Sequence, residues 1–138
     1  MDTGQMNTDQ VRAAMPLCGL LGVTAVDVVA ERVVLELAWR PELCTVGGVL
    51  HGGALMALAD SAGATCAFLN LPEGAIATTT IESKTNLLGA VTEGSVVTAT
   101  ATPLHAGRTT IVIETELRTD AGKLVAKTTQ TQAVLQPR

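Results

Sequence analysis

At 138 residues, with 47% hydrophobic and 16% charged side chains, the chain can bury a sizeable core and reads as one folded domain over 1–138 rather than a disordered segment. A net charge of −4 and only two large aromatics, Trp39 and Phe68, argue against a nucleic-acid partner, which needs a basic footprint or stacking platforms. Cys18, Cys44 and Cys66 show no metal-ligand spacing and the histidines number two, so no metal site is expected and the thiols suit a cytoplasmic protein.

Residues 1–7 are polar, carry no targeting signal and are expected to be loose. Thr8 to Met15 reads as a short helix capped by Thr8 and stopped by Pro16. The valine-rich 20–29 reads as a strand, and Glu31-Arg32 as a turn. Val33, Leu35, Leu37 and Trp39 alternate with Val34, Glu36 and Ala38, which is the period of a half-buried strand. Arg40-Pro41-Glu42 ends that strand, and 43–50 is a loop feeding a helix. The helix runs from about His51 to Leu69 and stops near Asn70, Leu71 and Pro72. Residues 49–69 have the length of a membrane span, but His51, Asp60 and the glycines argue against one. Four strands follow, over 75–88, 95–105, 108–119 and 123–135. They are joined by turns at Glu93-Gly94, Ala106-Gly107 and Asp120-Ala121-Gly122, and Pro103 is expected at an edge or a bulge. One apolar helix among so many strands predicts an α+β layout, a curved antiparallel sheet of about six strands wrapped around it.

That helix carries the most chemistry. At 100° per residue Leu55, Leu58, Ala59, Ala62, Cys66 and Leu69 share one stripe, and Asp60 lies opposite among Met56, Ala57, Gly63, Ala64 and Ala67. With no wet face the helix should be buried, and Asp60 with it. A carboxylate in such a place is either kept for chemistry or held in an ion pair, for which Lys84 and Arg108 are the available cations. At the helix start, Gly52 and Gly53 leave free N–H groups open to a ligand oxygen, or else serve tight packing. Gly52 and Asp60 are eight residues apart, about 12 Å along the axis and pointing about 80° apart. One small reacting group cannot touch both on a single helix. If they cooperate, the chain is a two-fold dimer with the Gly52 end of one copy facing Asp60 of the other. A core short of large side chains would also gain from such an interface.

The run Gly48-Val49-Leu50-His51-Gly52-Gly53-Ala54, followed by Leu58-Ala59-Asp60, resembles the signature of PaaI-type hotdog-fold acyl-CoA thioesterases. The stretches 80–88, His105-Ala106-Gly107-Arg108 and Gly122-Lys123-Leu124-Val125-Ala126 resemble that family in the same order, so the likeness covers about 15–136. The resemblance implies a hotdog fold and hydrolysis of an acyl-CoA to free acid and coenzyme A. It implies that Asp60 acts as general base or nucleophile, that the Gly52 N–H polarises the thioester carbonyl, and that His51 shapes the loop. Gly53 would border the substrate, and Thr78 or Thr80 would supply a hydroxyl. Two departures stand out: Thr45 occupies a position where relatives often carry Asn or Gln, and Ala64 follows the acid by one turn where a subgroup carries Thr. Arg108, and less directly Lys84, are the candidates for the coenzyme phosphates. No metal and no cofactor beyond coenzyme A in the substrate is implied, and dimers of this family often pair into tetramers. The competing readings are a non-catalytic acyl-CoA sensor and a hotdog dehydratase, for which no second His-plus-acid motif is present.

Overall fold

The computed structural model describes residues 5–138. The order of elements is α1 (Thr8–Ala14), α2 (Pro16–Leu21), β1 (Thr24–Val29), β2 (Arg32–Ala38), a single helical turn at Pro41–Leu43, α3 (Gly52–Leu69), β3 (Ala77–Leu87), β4 (Val96–Ala106), β5 (Thr110–Thr119) and β6 (Leu124–Leu135). The strands form one six-stranded antiparallel sheet in the order β1-β2-β4-β5-β6-β3. The sheet curves around α3, which is the hotdog arrangement.

The N-terminal segment departs from the sequence reading in three places. Asn7, not Thr8, caps α1; its side chain accepts from the Gln10 N–H while Gln10 returns a bond to the Asn7 N–H. Thr8 Oγ1 instead accepts from Ala25 N at 2.9 Å, and Gln5 Oε1 accepts from Val28 N at 3.2 Å. Gln5 is therefore tied to β1 and Asn7 to α1 rather than loose, while 1–4 lie outside the described residues. The strand expected from 20 starts at Thr24, because Pro16 opens a second helix and Gly22, at φ 82°, closes it in the left-handed region.

The core lies between α3 and the concave face of the sheet. Leu58, Ala59, Ala62, Cys66 and Ala67 are fully buried, and the sheet meets them with Val33 and Leu35 of β2, Ala99 and Ala101 of β4, and Ile111 and Ile113 of β5. The small residues on both sides let the helix sit close to the strands. The two hydroxyls buried in α3 bond back along the helix, Ser61 Oγ to Ala57 O and Thr65 Oγ1 to Ser61 O, each at 2.8 Å. The apolar run with the length of a membrane span is thus the helix that the sheet encloses.

One expectation fails here. The helix does have an open face: Met56, Asp60 and Phe68 are exposed, and Ala64 between them is half-buried. The sheet ends at β3, an edge strand whose residues are mostly exposed, so none of the described residues covers that stripe. Pro103 sits where expected, at a bulge between Pro103 and His105.

Candidate active site

The helix start is built by the loop before it. Gly47 and Gly48 take φ of 87° and 75°, and the reversal they allow lets Thr45 N bond Val49 O at 2.9 Å. Trp39 Nε1 clamps the loop by donating to Gly48 O at 2.9 Å. His51 N bonds Leu43 O at 2.9 Å, which fixes the residue that caps α3. The His51 ring folds back so that Nδ1 accepts from the Gly53 N–H at 2.8 Å. A neutral ring in that role carries its proton on Nε2, which remains a donor.

These contacts separate the roles of the two glycines. The Gly53 N–H is already used by His51, so it is not an open donor, and a Cβ there would lie 3.0 Å from Nδ1. The Gly52 N–H has no acceptor among the described residues. A Cβ on Gly52 would lie 2.6 Å from Leu87 Cδ1, so glycine also serves packing there. The helix therefore begins with one free N–H backed by its dipole.

Asp60 lies two turns on. Neither Lys84 nor Arg108 pairs with it; both are exposed and form no ion pair among the described residues. Its partner is Gln130 of β6, whose Nε2 donates to Asp60 Oδ1 at 3.4 Å. Gln130 Oε1 accepts from Gln132 Nε2 at 2.7 Å, and the same nitrogen donates to Thr80 Oγ1 at 2.6 Å. Both glutamines are essentially fully buried, at 0% and 1% exposure. The sequence reading missed them, because 127–132 reads Lys-Thr-Thr-Gln-Thr-Gln, polar at every position. The available signal was parity: Gln130 and Gln132 are in phase with the buried Ala126 and Thr128.

Thr80 joins this group through an irregularity in β3. The pairing with β6 shifts between Thr80 and Glu82, so Thr80 stands opposite Gln132 and Ser83 opposite Gln130, with Ile81 left exposed. Thr78 lies further along, where it lines an apolar cavity of about 290 Å³ with Met6, Met15, Ala64 and Phe68. Ala64 is one turn past Asp60 on the same stripe of α3.

The other candidates lie apart. Thr45 lines a cleft with Trp39 and Glu93, whereas His51 and Gly53 border a different one with Leu17 and Ala57. Arg108 is in the β4–β5 turn, beside Thr110, which pairs with Ala133, which in turn pairs with Thr79. That places the turn two strand spacings, about 10 Å, from β3 near Thr80. Lys84 is exposed on β3 opposite Thr129. Cys66 is not part of this constellation: it is fully buried, and burial pushes its thiol up to about 11.

Known proteins share this layout. The profile of the Thioesterase superfamily matches residues 47–126. The Bacillus subtilis protein named "Putative esterase ComA2" is 35% identical over 115 residues, spanning 83% of this chain and 90% of its own. The crystal structure of thioesterase HI1161 from Haemophilus influenzae superposes with a TM-score of 0.85 at 26% identity, covering 95% of this chain and 92% of that one. A point mutant of the phenylacetic acid degradation protein PaaI from Thermus thermophilus gives a TM-score of 0.80 at 28% identity, over 87% and 99% of the two chains. The chain belongs to the thioesterase superfamily, as a hydrolase with that family's hotdog fold.

Proposed function

We propose that the protein hydrolyses acyl-CoA thioesters in a site shared by two copies of the chain. The observation that carries the reading is the pairing of an open-faced Asp60 with an unengaged Gly52 N–H on one otherwise enclosed helix. Water adds to the thioester carbonyl as Asp60 takes its proton, or Asp60 itself adds to that carbon and water later hydrolyses the resulting mixed anhydride to free acid and the restored carboxylate. The carbonyl oxygen gains charge and is held by the Gly52 N–H and the helix dipole. The C–S bond then breaks and coenzyme A leaves as thiolate.

The fold supports the two-copy arrangement. The helix runs alongside β3, with Gly52 against Leu87, Asp60 over Gln130, whose register partner is Ser83, and Ala64 near Thr78. β3 is an open edge with unused hydrogen-bonding groups. Antiparallel pairing of two such edges would set the helices side by side in opposite directions. With the two-fold near Met56, the Gly52 end of one helix would lie beside the middle of the other, where Asp60 is. It would also cover Met56, which is 44% exposed in the single chain.

Among the described residues, no charged side chain lines the cavity beyond Asp60, which fits an apolar, uncharged acyl group. Arg108, near the same end of the sheet, fits the coenzyme phosphates. The test is thiol release from a saturated acyl-CoA series, acetyl to dodecanoyl, by the parent and by Asp60→Asn. The variant is expected to lose most turnover and to keep its oligomeric state. Full activity in Asp60→Asn refutes the role of the acid, and binding without release by the parent favours the sensor reading.

A further inference from the structure

We infer, on the reading of Asp60 as the reacting acid, that Gln130 is a positioning residue for it and that Gln132 and Thr80 set the polarity of the Gln130 amide. A glutamine at 0% exposure on a strand that faces a helix is costly unless its amide is used. Here each bond has a direction. Gln132 Nε2 has two hydrogens and donates both, one to Thr80 Oγ1 and one to Gln130 Oε1. Gln130 Oε1 is thereby taken, and its nitrogen is turned to Asp60 Oδ1. The array offers the acid a donor and matches an accepting carboxylate oxygen. Oδ1 is held, while Oδ2 has no partner among the described residues and is left for the reaction. Thr80, an exposed residue whose oxygen already accepts, keeps its own O–H to donate.

The surrounding chain is shaped to admit this amide. A Cβ at residue 63 would lie 2.7 Å from Gln130 Cδ and 2.8 Å from both Nε2 and Oε1, so the glycine in the middle of α3 opens the space that the amide fills. The β3 bulge puts Thr80 in phase with Ser83 on the inner face, which alternation would forbid.

The experiment compares parent, Gln130→Met, Gln130→Glu, Asp60→Asn and the double variant Asp60→Asn/Gln130→Met, with kcat and KM measured on the fastest-cleaved member of the acyl-CoA series. Gln130→Met keeps length and removes the donor; Gln130→Glu keeps the shape and sets a second carboxyl against Asp60, so that one of the two must hold a proton. Both are expected to lower kcat about tenfold with KM within about twofold. The Met substitution is expected to add no loss to the residual rate of Asp60→Asn, because its effect runs through the acid. Should Gln130→Met fail to fold, Gln130→Glu carries the comparison alone. Parental kcat in a folded Gln130 variant, or an equal loss with and without Asp60, overturns the positioning role while leaving Asp60 in place. Full activity in Asp60→Asn instead removes the reading beneath it.

Discussion

Gly63→Ala tests the tightness of the helix–strand contact through a change of sign. In an ordinary helix interior this substitution stabilises by about 0.8–1 kcal/mol. Here the new methyl would stand 2.7–2.8 Å from three atoms of the Gln130 amide, which is wholly buried and cannot swing into solvent. To reach an ordinary contact the amide must withdraw by about 0.7 Å or more, which disturbs its bonds to Asp60 and Gln132. Leaving a buried amide short of partners costs about 1–3 kcal/mol per group, which exceeds the helix gain. With the helix gain deducted, Gly63→Ala alone should therefore destabilise by up to about 2 kcal/mol. In a Gln130→Ala background the space is vacant and the same methyl should stabilise by about 1 kcal/mol, giving a coupling of about 1–3 kcal/mol. Urea unfolding of the four proteins at one fixed protein concentration measures this directly. Equal stabilisation by Gly63→Ala in both backgrounds would refute the packing argument.

Other outcomes follow from single contacts. Thr115 Oγ1 is buried without a hydrogen-bond partner among the described residues, so Thr115→Val should raise stability by about 1 kcal/mol in the same urea assay. A loss would mean that the hydroxyl is used. Arg108→Ala should raise KM about fivefold for an acyl-CoA and leave it unchanged for the same acyl group on N-acetylcysteamine, which lacks the phosphates. Equal responses would exclude phosphate binding. Burial raises the Cys66 thiol from 9.0 to about 11, so over that window the folded protein holds a proton that the unfolded chain releases. Stability should fall as pH rises from 9 to 11, and the slope should be shallower in Cys66→Ala.

The parts legible in the sequence are those that short-range rules decide. The start and stop of α3 follow from His51 and from Asn70 with Pro72 behind it, and the last four strands follow from their turn residues. The second helix was obscured because Leu20-Leu21 joins a valine-rich run, and a short apolar run fits either helix or strand until Gly22 is seen to close one. Asp60 was expected under cover because the helix composition shows apolarity on all sides, yet composition does not say where a sheet ends. Gln130 and Gln132 were hidden for a different reason. Their inward direction is set by register against β3 and β5, and Thr80 reaches them only through a bulge that no local pattern announces.

Trp39 is the single tryptophan of the chain, and its indole N–H holds the carbonyl of Gly48. The intrinsic emission of the whole protein therefore reports on one position, the clasp of the glycine turn that leads into the capped end of the long helix. Loosening that turn would expose the indole to water and shift the emission to the red. The chain thus carries a label-free optical probe of its own helix entrance, readable in a stopped-flow instrument while substrate is consumed.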